Sequence, residues 1–136
     1  MKKFENVCII DDDHIFIYGI KRLMKEVNFG DDILVYDNGK DALSGLRLNS
    51  EAGKKLPSII FLDLNMPIMN GWDFLDNFCK KNESELNNTV VYIISSSVDP
   101  RDLVRIKSYS IVKNYILKPV TANDLAAIQK EEVHKF

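Results

Sequence analysis

Five short runs of unbroken apolar sequence constrain this chain most: Val7–Ile10, Ile33–Tyr36, Ile59–Leu62, Val90–Ile94 and Tyr115–Leu117. They are rich in β-branched and aromatic residues and do not alternate apolar with polar. A strand with one wet face would alternate, so these runs suit strands covered on both faces. Longer segments with helical spacing lie between them. Phe16, Ile20, Leu23, Met24 and Val27 make one stripe, Phe74, Leu75, Phe78 and Cys79 another, and Leu125 and Ile128 begin a third. Asp13 reads as a helix cap, Asp99-Pro100 as a cap followed by a proline at the first helical position, and Thr121 to Asp124 as a capping box. The weakest helix is Gly39 to Leu48, interrupted by Gly45. Asn49 to Leu56 (NSEAGKKL) reads as an exposed loop.

The order is strand then helix, five times over. Right-handed crossovers make that an open parallel sheet with helices on both faces. Functional groups of such sheets gather beyond the carboxyl ends of the strands.

The chain has 136 residues, of which 46% are apolar, enough for one packed domain over 1–136 and too many for a disordered tail. No apolar run is long enough to span a bilayer, and the one after Asn6 is too short for a signal peptide. The expected location is the cytoplasm. Lys and Arg total 18 against 20 Asp and Glu, which argues against a general nucleic-acid binder. Cys8 and Cys79, both in apolar surroundings, read as buried thiols rather than a disulfide or metal pair.

The strand ends carry the chemistry. The first ends in Asp11-Asp12-Asp13, the third in Asp63, the fourth in Ser95-Ser96-Ser97, and the fifth in Lys118-Pro119. Adjacent strands lie about 4.8 Å apart. If the first and third are neighbours, Asp11, Asp12 and Asp63 crowd into one pocket and repel unless neutralised. Mg²⁺ suits such hard oxygen donors, because it takes one or two carboxylates and keeps room for waters and a phosphate oxygen. Lys118 reads as a positive charge over that pocket; the plainer alternative is a snorkelling surface lysine. Ser95 offers a hydroxyl to a phosphoryl oxygen. His14 reads as an exposed residue of the first helical turn, and Trp72 as a core anchor.

In combination these motifs resemble the receiver domain of bacterial two-component response regulators, of the stand-alone chemotaxis type. The resemblance rests on Asp11-Asp12, on Asp63 in Asp-Leu-Asn-Met-Pro-Ile-Met-Asn-Gly, on Ser95, and on Tyr115-Ile-Leu-Lys118-Pro119. It covers the whole chain. It implies a flavodoxin-like doubly wound sheet in the order 2-1-3-4-5 and a cis Lys118-Pro119 bond. It implies that Asp63 accepts a phosphoryl group from a sensor histidine kinase or histidine phosphotransfer protein. Mg²⁺ would be held by Asp11, Asp12, Asp63 and the backbone carbonyl of Asn65. Lys118 and Ser95 would contact phosphoryl oxygens.

Tyr115 would be a switch aromatic that rotates inward when Ser95 moves. Signal would leave through a downstream protein on the face of the fourth helix, fifth strand and fifth helix. Such a protein is not an enzyme on an outside substrate, though it assists its own phosphorylation and autodephosphorylation. No nucleic acid or membrane partner is implied.

Two departures stand out. Tyr109–Asn114 replaces the usual Gly-Ala pair before the fifth strand. Ser95 to Lys118 is one residue longer than the family's spacing, so Ser96 competes for the hydroxyl role. The stretch at Asn49–Leu56 resembles an insertion in phytochrome-associated single-domain regulators. The residues 131–136 leave no room for a DNA-binding domain, so the expectation is a single-domain regulator or a receiver cut from a longer protein. The competing readings are a pseudo-receiver that never takes phosphate and an aspartate phosphatase of the haloacid-dehalogenase type. The latter lacks its cap domain and downstream acidic motif here. A flavodoxin proper is excluded, since three aspartates would repel the flavin phosphate.

Overall fold

The computed structural model of the chain describes residues 3–81 and 83–132; most of the closing stretch 131–136 lies outside them. Five strands and five helices alternate: β1 Phe4–Ile10, α1 His14–Glu26, β2 Gly30–Tyr36, α2 Gly39–Glu51, β3 Ile59–Asp63, α3 Gly71–Lys81, β4 Val90–Ser95, α4 Pro100–Arg105, β5 Val112–Leu117 and α5 Ala122–Glu131. Short 3-10 turns follow α3 and α4. The strands form one parallel sheet in the order β2-β1-β3-β4-β5. This is the flavodoxin-like topology.

The unbroken apolar runs are explained by a core on each face. Val7, Ile9, Ile59, Phe61, Val90, Tyr92 and Ile94 point to one side, against Ile17, Ile20, Met24, Leu125 and Ile128 of α1 and α5. Cys8, Ile10, Ile60, Leu62, Val91 and Ile93 point to the other, against Ala42 and Leu46 of α2 and Phe74, Leu75 and Phe78 of α3. Successive residues of a strand face opposite ways, so a strand buried on both sides must be apolar throughout.

Helix starts follow the expected chemistry. Asp13 Oδ1 accepts the N–H groups of Ile15 and Phe16, and Thr121 and Asp124 complete a reciprocal capping box. His14 opens α1 and is exposed. The Lys118-Pro119 bond is cis.

Two expectations need correction and a third needs refinement. Asn49–Glu51 are helical, not loop: α2 runs on until Gly53, at φ 82°, ends it. The Gly53 N–H donates to the Ser50 carbonyl and the Lys54 N–H to that of Asn49. That pair of bonds is the Schellman closure, and its left-handed residue is most easily a glycine. Cys79 is only half-buried, on the flank of α3, whereas Cys8 is fully buried. Trp72 is likewise half-buried. It packs against the second core and also stacks on Tyr109 at 5.7 Å with Arg105 over its ring, so it ties the segment after α4 to α3.

A bulge interrupts β5 between Ser95 and Lys118. Val91 pairs with Val112 but Tyr92 pairs with Asn114, so Lys113 has no counterpart in β4. Beyond the bulge the register is regular. Ser95 pairs with Leu117, and the Lys118 N–H donates to the Ser95 carbonyl at 2.8 Å.

Candidate functional site

β1 and β3 are hydrogen-bonded neighbours, with Ile10 opposite Leu62. Asp11, one residue past β1, therefore meets Asp63, the last residue of β3. One carboxylate oxygen from each of Asp11, Asp12 and Asp63 lies within 4.8 Å of the others. Asp11 and Asp63 are buried and Asp12 is exposed. Two acids are thus walled in while the third faces arriving ions.

Asp11 is held at both oxygens. Its Oδ1 accepts the Asp13 N–H at 2.9 Å. Its buried Oδ2 forms a 2.7 Å ion pair with Lys118 Nζ. Lys118 is 14% exposed and is no snorkelling surface lysine. Its ammonium also lies 4.5 Å from the centre of the Phe16 ring. The direct partner of Lys118 is therefore Asp11, and Asp63 feels it only through space.

Asp63 shows the cost of this crowding. Burial first, and then the Asp11 charge, push its carboxyl up to about 6; the Asp12 charge adds to this. Lys118 and the Asn65 N–H, which points at Asp63 Oδ1 from 3.4 Å, oppose the rise. Three ionised acids facing one ammonium carry a net charge of two minus, which a divalent cation would cancel. The hard oxygens and the raised Asp63 fit Mg²⁺.

Ser95 is buried, and Ser96 is exposed. The Ser95 hydroxyl donates to the Ser97 carbonyl at 2.8 Å. The Tyr115 hydroxyl donates to the same carbonyl at 2.8 Å, with its ring packed on the second core. Tyr115 thus lies partly against the core while its hydroxyl reaches the β4–α4 loop. Asn65 is exposed, beside the pocket on the loop after β3.

Two contributors escaped the sequence reading. Phe16 was visible only as a helix-stripe residue, because a ring under an ammonium leaves no pattern in the chain. Gly71 closes the β3–α3 loop. Its N–H donates to the Leu64 carbonyl, and a Cβ there would lie 2.7 Å from the Asp63 carbonyl oxygen. In the sequence it is the closing Asn-Gly of the Asp63 motif, a turn pair whose spacing alone does not show the close approach to Asp63. A cleft of about 640 Å³ lined in part by Glu5, Asp32, Lys54 and Lys55 lies beside the amino-terminal ends of β1 and β2, away from this chemistry.

Comparison with known proteins agrees with this geometry. The model of the response regulator receiver domain family matches residues 7–130, a stretch holding every site residue named above. The chain is 29% identical over 125 residues to the probable methanogenesis regulatory protein FilR2 of Methanothrix harundinacea, covering 92% of this chain and 79% of that one. It is 31% identical over 119 residues to the nitrate/nitrite response regulator NarL of Escherichia coli, covering 88% of this chain and 50% of NarL. A solved two-component response regulator from Cytophaga hutchinsonii superposes with a TM-score of 0.90 at 32% identity, covering 98% and 99% of the two chains. These matches place the fold and its acid cluster in a class of signalling modules. Within it, this chain belongs to the response regulator receiver domain family of two-component signalling.

Proposed function

We propose that the protein accepts a phosphoryl group on Asp63 from a phosphohistidine of a sensor histidine kinase or histidine phosphotransfer protein, in a Mg²⁺-dependent reaction. The observation that carries this reading is the meeting of three carboxylates within 4.8 Å under one lysine ammonium. An Asp63 oxygen attacks phosphorus, the P–N bond breaks, and its electron pair goes to the imidazole, which takes up a proton. The product is an aspartyl phosphate. Bound Mg²⁺ supplies charge neutralisation to the acids and to the phosphoryl oxygens; Asp11, Asp12, Asp63 and the Asn65 carbonyl are its proposed holders. Lys118 shifts from Asp11 towards a phosphoryl oxygen. Ser95 turns its hydroxyl from Ser97 to another.

The switch follows from the shared acceptor. When Ser95 leaves the Ser97 carbonyl, Tyr115 remains its side-chain donor, and the β4–α4 loop resettles around that bond. Such a change moves the equilibrium by about 1–3 kcal/mol. The face it reaches displays the exposed side chains of Val98, Leu103, Val104 and Leu117, which suit a downstream protein.

The test uses acetyl phosphate and beryllofluoride with Mg²⁺. The wild type should gain one base-labile phosphoryl group and bind beryllofluoride, and Asp63→Asn should do neither. No response from the wild type would favour a pseudo-receiver. Sustained turnover of varied phosphomonoesters would favour a phosphatase.

A further inference from the structure

Lys118 is gripped by two groups from one short stretch of chain. Asp11 touches the ammonium at 2.7 Å, and the Phe16 ring lies 4.5 Å below it. Phe16 is itself fixed, since its N–H donates to the capping carboxylate of Asp13 at 3.1 Å and its ring packs against the core under α1. From this we infer that Phe16 is a positioning residue for the lysine. The inference rests on the proposed phosphorylation of Asp63.

The two grips differ in kind. Asp11 belongs to the acid cluster, so its charge is shared with Asp12, Asp63 and whatever cation joins them. Its hold on Lys118 weakens whenever that charge is claimed elsewhere. An aromatic face takes no proton and binds no Mg²⁺, so its attraction for the ammonium is constant. The ring also removes water from one side of the ammonium. Phe16 thus keeps Lys118 in the pocket while it moves off Asp11, limiting its motion to a swing across the acids.

The experiment compares Phe16→Leu, Phe16→Met and Phe16→Tyr for phosphorylation by acetyl phosphate at saturating Mg²⁺. Leu and Met retain apolar bulk without an aromatic face. Both should slow Asp63 phosphorylation about threefold to tenfold, and Tyr should stay within about twofold of wild type. The Lys118 Cε protons, shifted upfield by the ring current in the wild type and Phe16→Tyr, should lose that shift in Phe16→Leu. In a Lys118→Met background, Phe16→Leu should add no further loss, because its action passes through the lysine. Unchanged or faster phosphorylation in Phe16→Leu, or an equal further loss without the lysine, would overturn the inference. If the wild type takes no phosphoryl group while the Lys118 shift is present, the phosphorylation reading fails and the ring–lysine contact stands.

Discussion

Asp63 is asked to be both buried and anionic, and the fold resists that combination. Its carboxyl rises from an ordinary 3.8 to about 6 because burial and Asp11 outweigh Lys118 and the Asn65 N–H. Between those two values the unfolded chain is ionised at this position while the folded chain still holds the proton. The native state then binds more protons, so stability falls as pH rises through the window and levels off above about 6. Asp63→Asn removes the titrating group. In EDTA at pH 7.5 it should be more stable than wild type by on the order of 2 kcal/mol. The gap should close near pH 4. Urea midpoints at the two pH values check this, and a gap that stays constant with pH would contradict it. The strain is useful in the proposed chemistry, because a cation that relieves the repulsion also frees the nucleophile from its proton. The acids and the lysine were legible in the sequence because their types are costly at buried strand ends. That Lys118 chooses Asp11 over Asp63 was not legible, since an ångström-scale choice among three acids depends on rotamers and not on order in the chain.

The elements were legible where a local rule dominates. Double-sided burial makes unbroken apolar strands, and side-chain caps mark the starts of α1, α4 and α5. Ends were less visible. The exit of α2 depends on Gly53 being left-handed, and the polar stretch before it masked three more helical residues. The bulge at Lys113 has no signal in the sequence, because its position is chosen by pairing with β4. The two glycines at loop boundaries make opposite predictions. A Cβ at Gly53 meets nothing within 4 Å, so Gly53→Ala pays only for its left-handed backbone, about 1 kcal/mol, with phosphorylation unchanged. At Gly71 a Cβ would stand 2.7 Å from the Asp63 carbonyl oxygen and 2.8 Å from the Leu64 Cα. Backbone cannot swing aside as a side-chain tip can. Gly71→Ala should therefore cost more than Gly53→Ala, about 2 kcal/mol or more, and displace Asp63. Its phosphorylation by acetyl phosphate should fall at least tenfold, a loss consistent with an ångström-scale misplacement of a reacting group. Equal stability and equal rates for the two variants would remove Gly71 from the site.

At the scale of the whole molecule, strand–helix alternation implied a parallel sheet, but the order 2-1-3-4-5 came only through family resemblance. Crossover handedness alone does not choose which strands are neighbours. That order brings β1 and β3 together and so creates the pocket. It also separates two exposed apolar surfaces. Ile15 and Tyr18, on the helix that follows the first acids, and Ile68, in the loop that follows Asp63, are 86%, 69% and 77% exposed. Ile68 has φ 69°, a conformation β-branched residues avoid, so its outward apolar side chain is held at a cost of about 1–2 kcal/mol. Leu103 and Val104 lie on α4, an element with no buried residue, beyond the far side of the pocket. The division predicts separable defects. A protein that delivers a phosphoryl group must reach Asp63 past the first surface, whereas acetyl phosphate needs no docking. Ile15→Glu and Tyr18→Glu should slow transfer from a histidine kinase active on wild type by tenfold or more, while leaving phosphorylation by acetyl phosphate within about twofold. Leu103→Glu and Val104→Glu should leave both rates near wild type, because α4 lies downstream of the chemistry. Side-by-side transfer assays on the four variants decide the matter: a kinase defect on the α4 face, or an acetyl phosphate defect on the α1 face, would show that input and output share one surface.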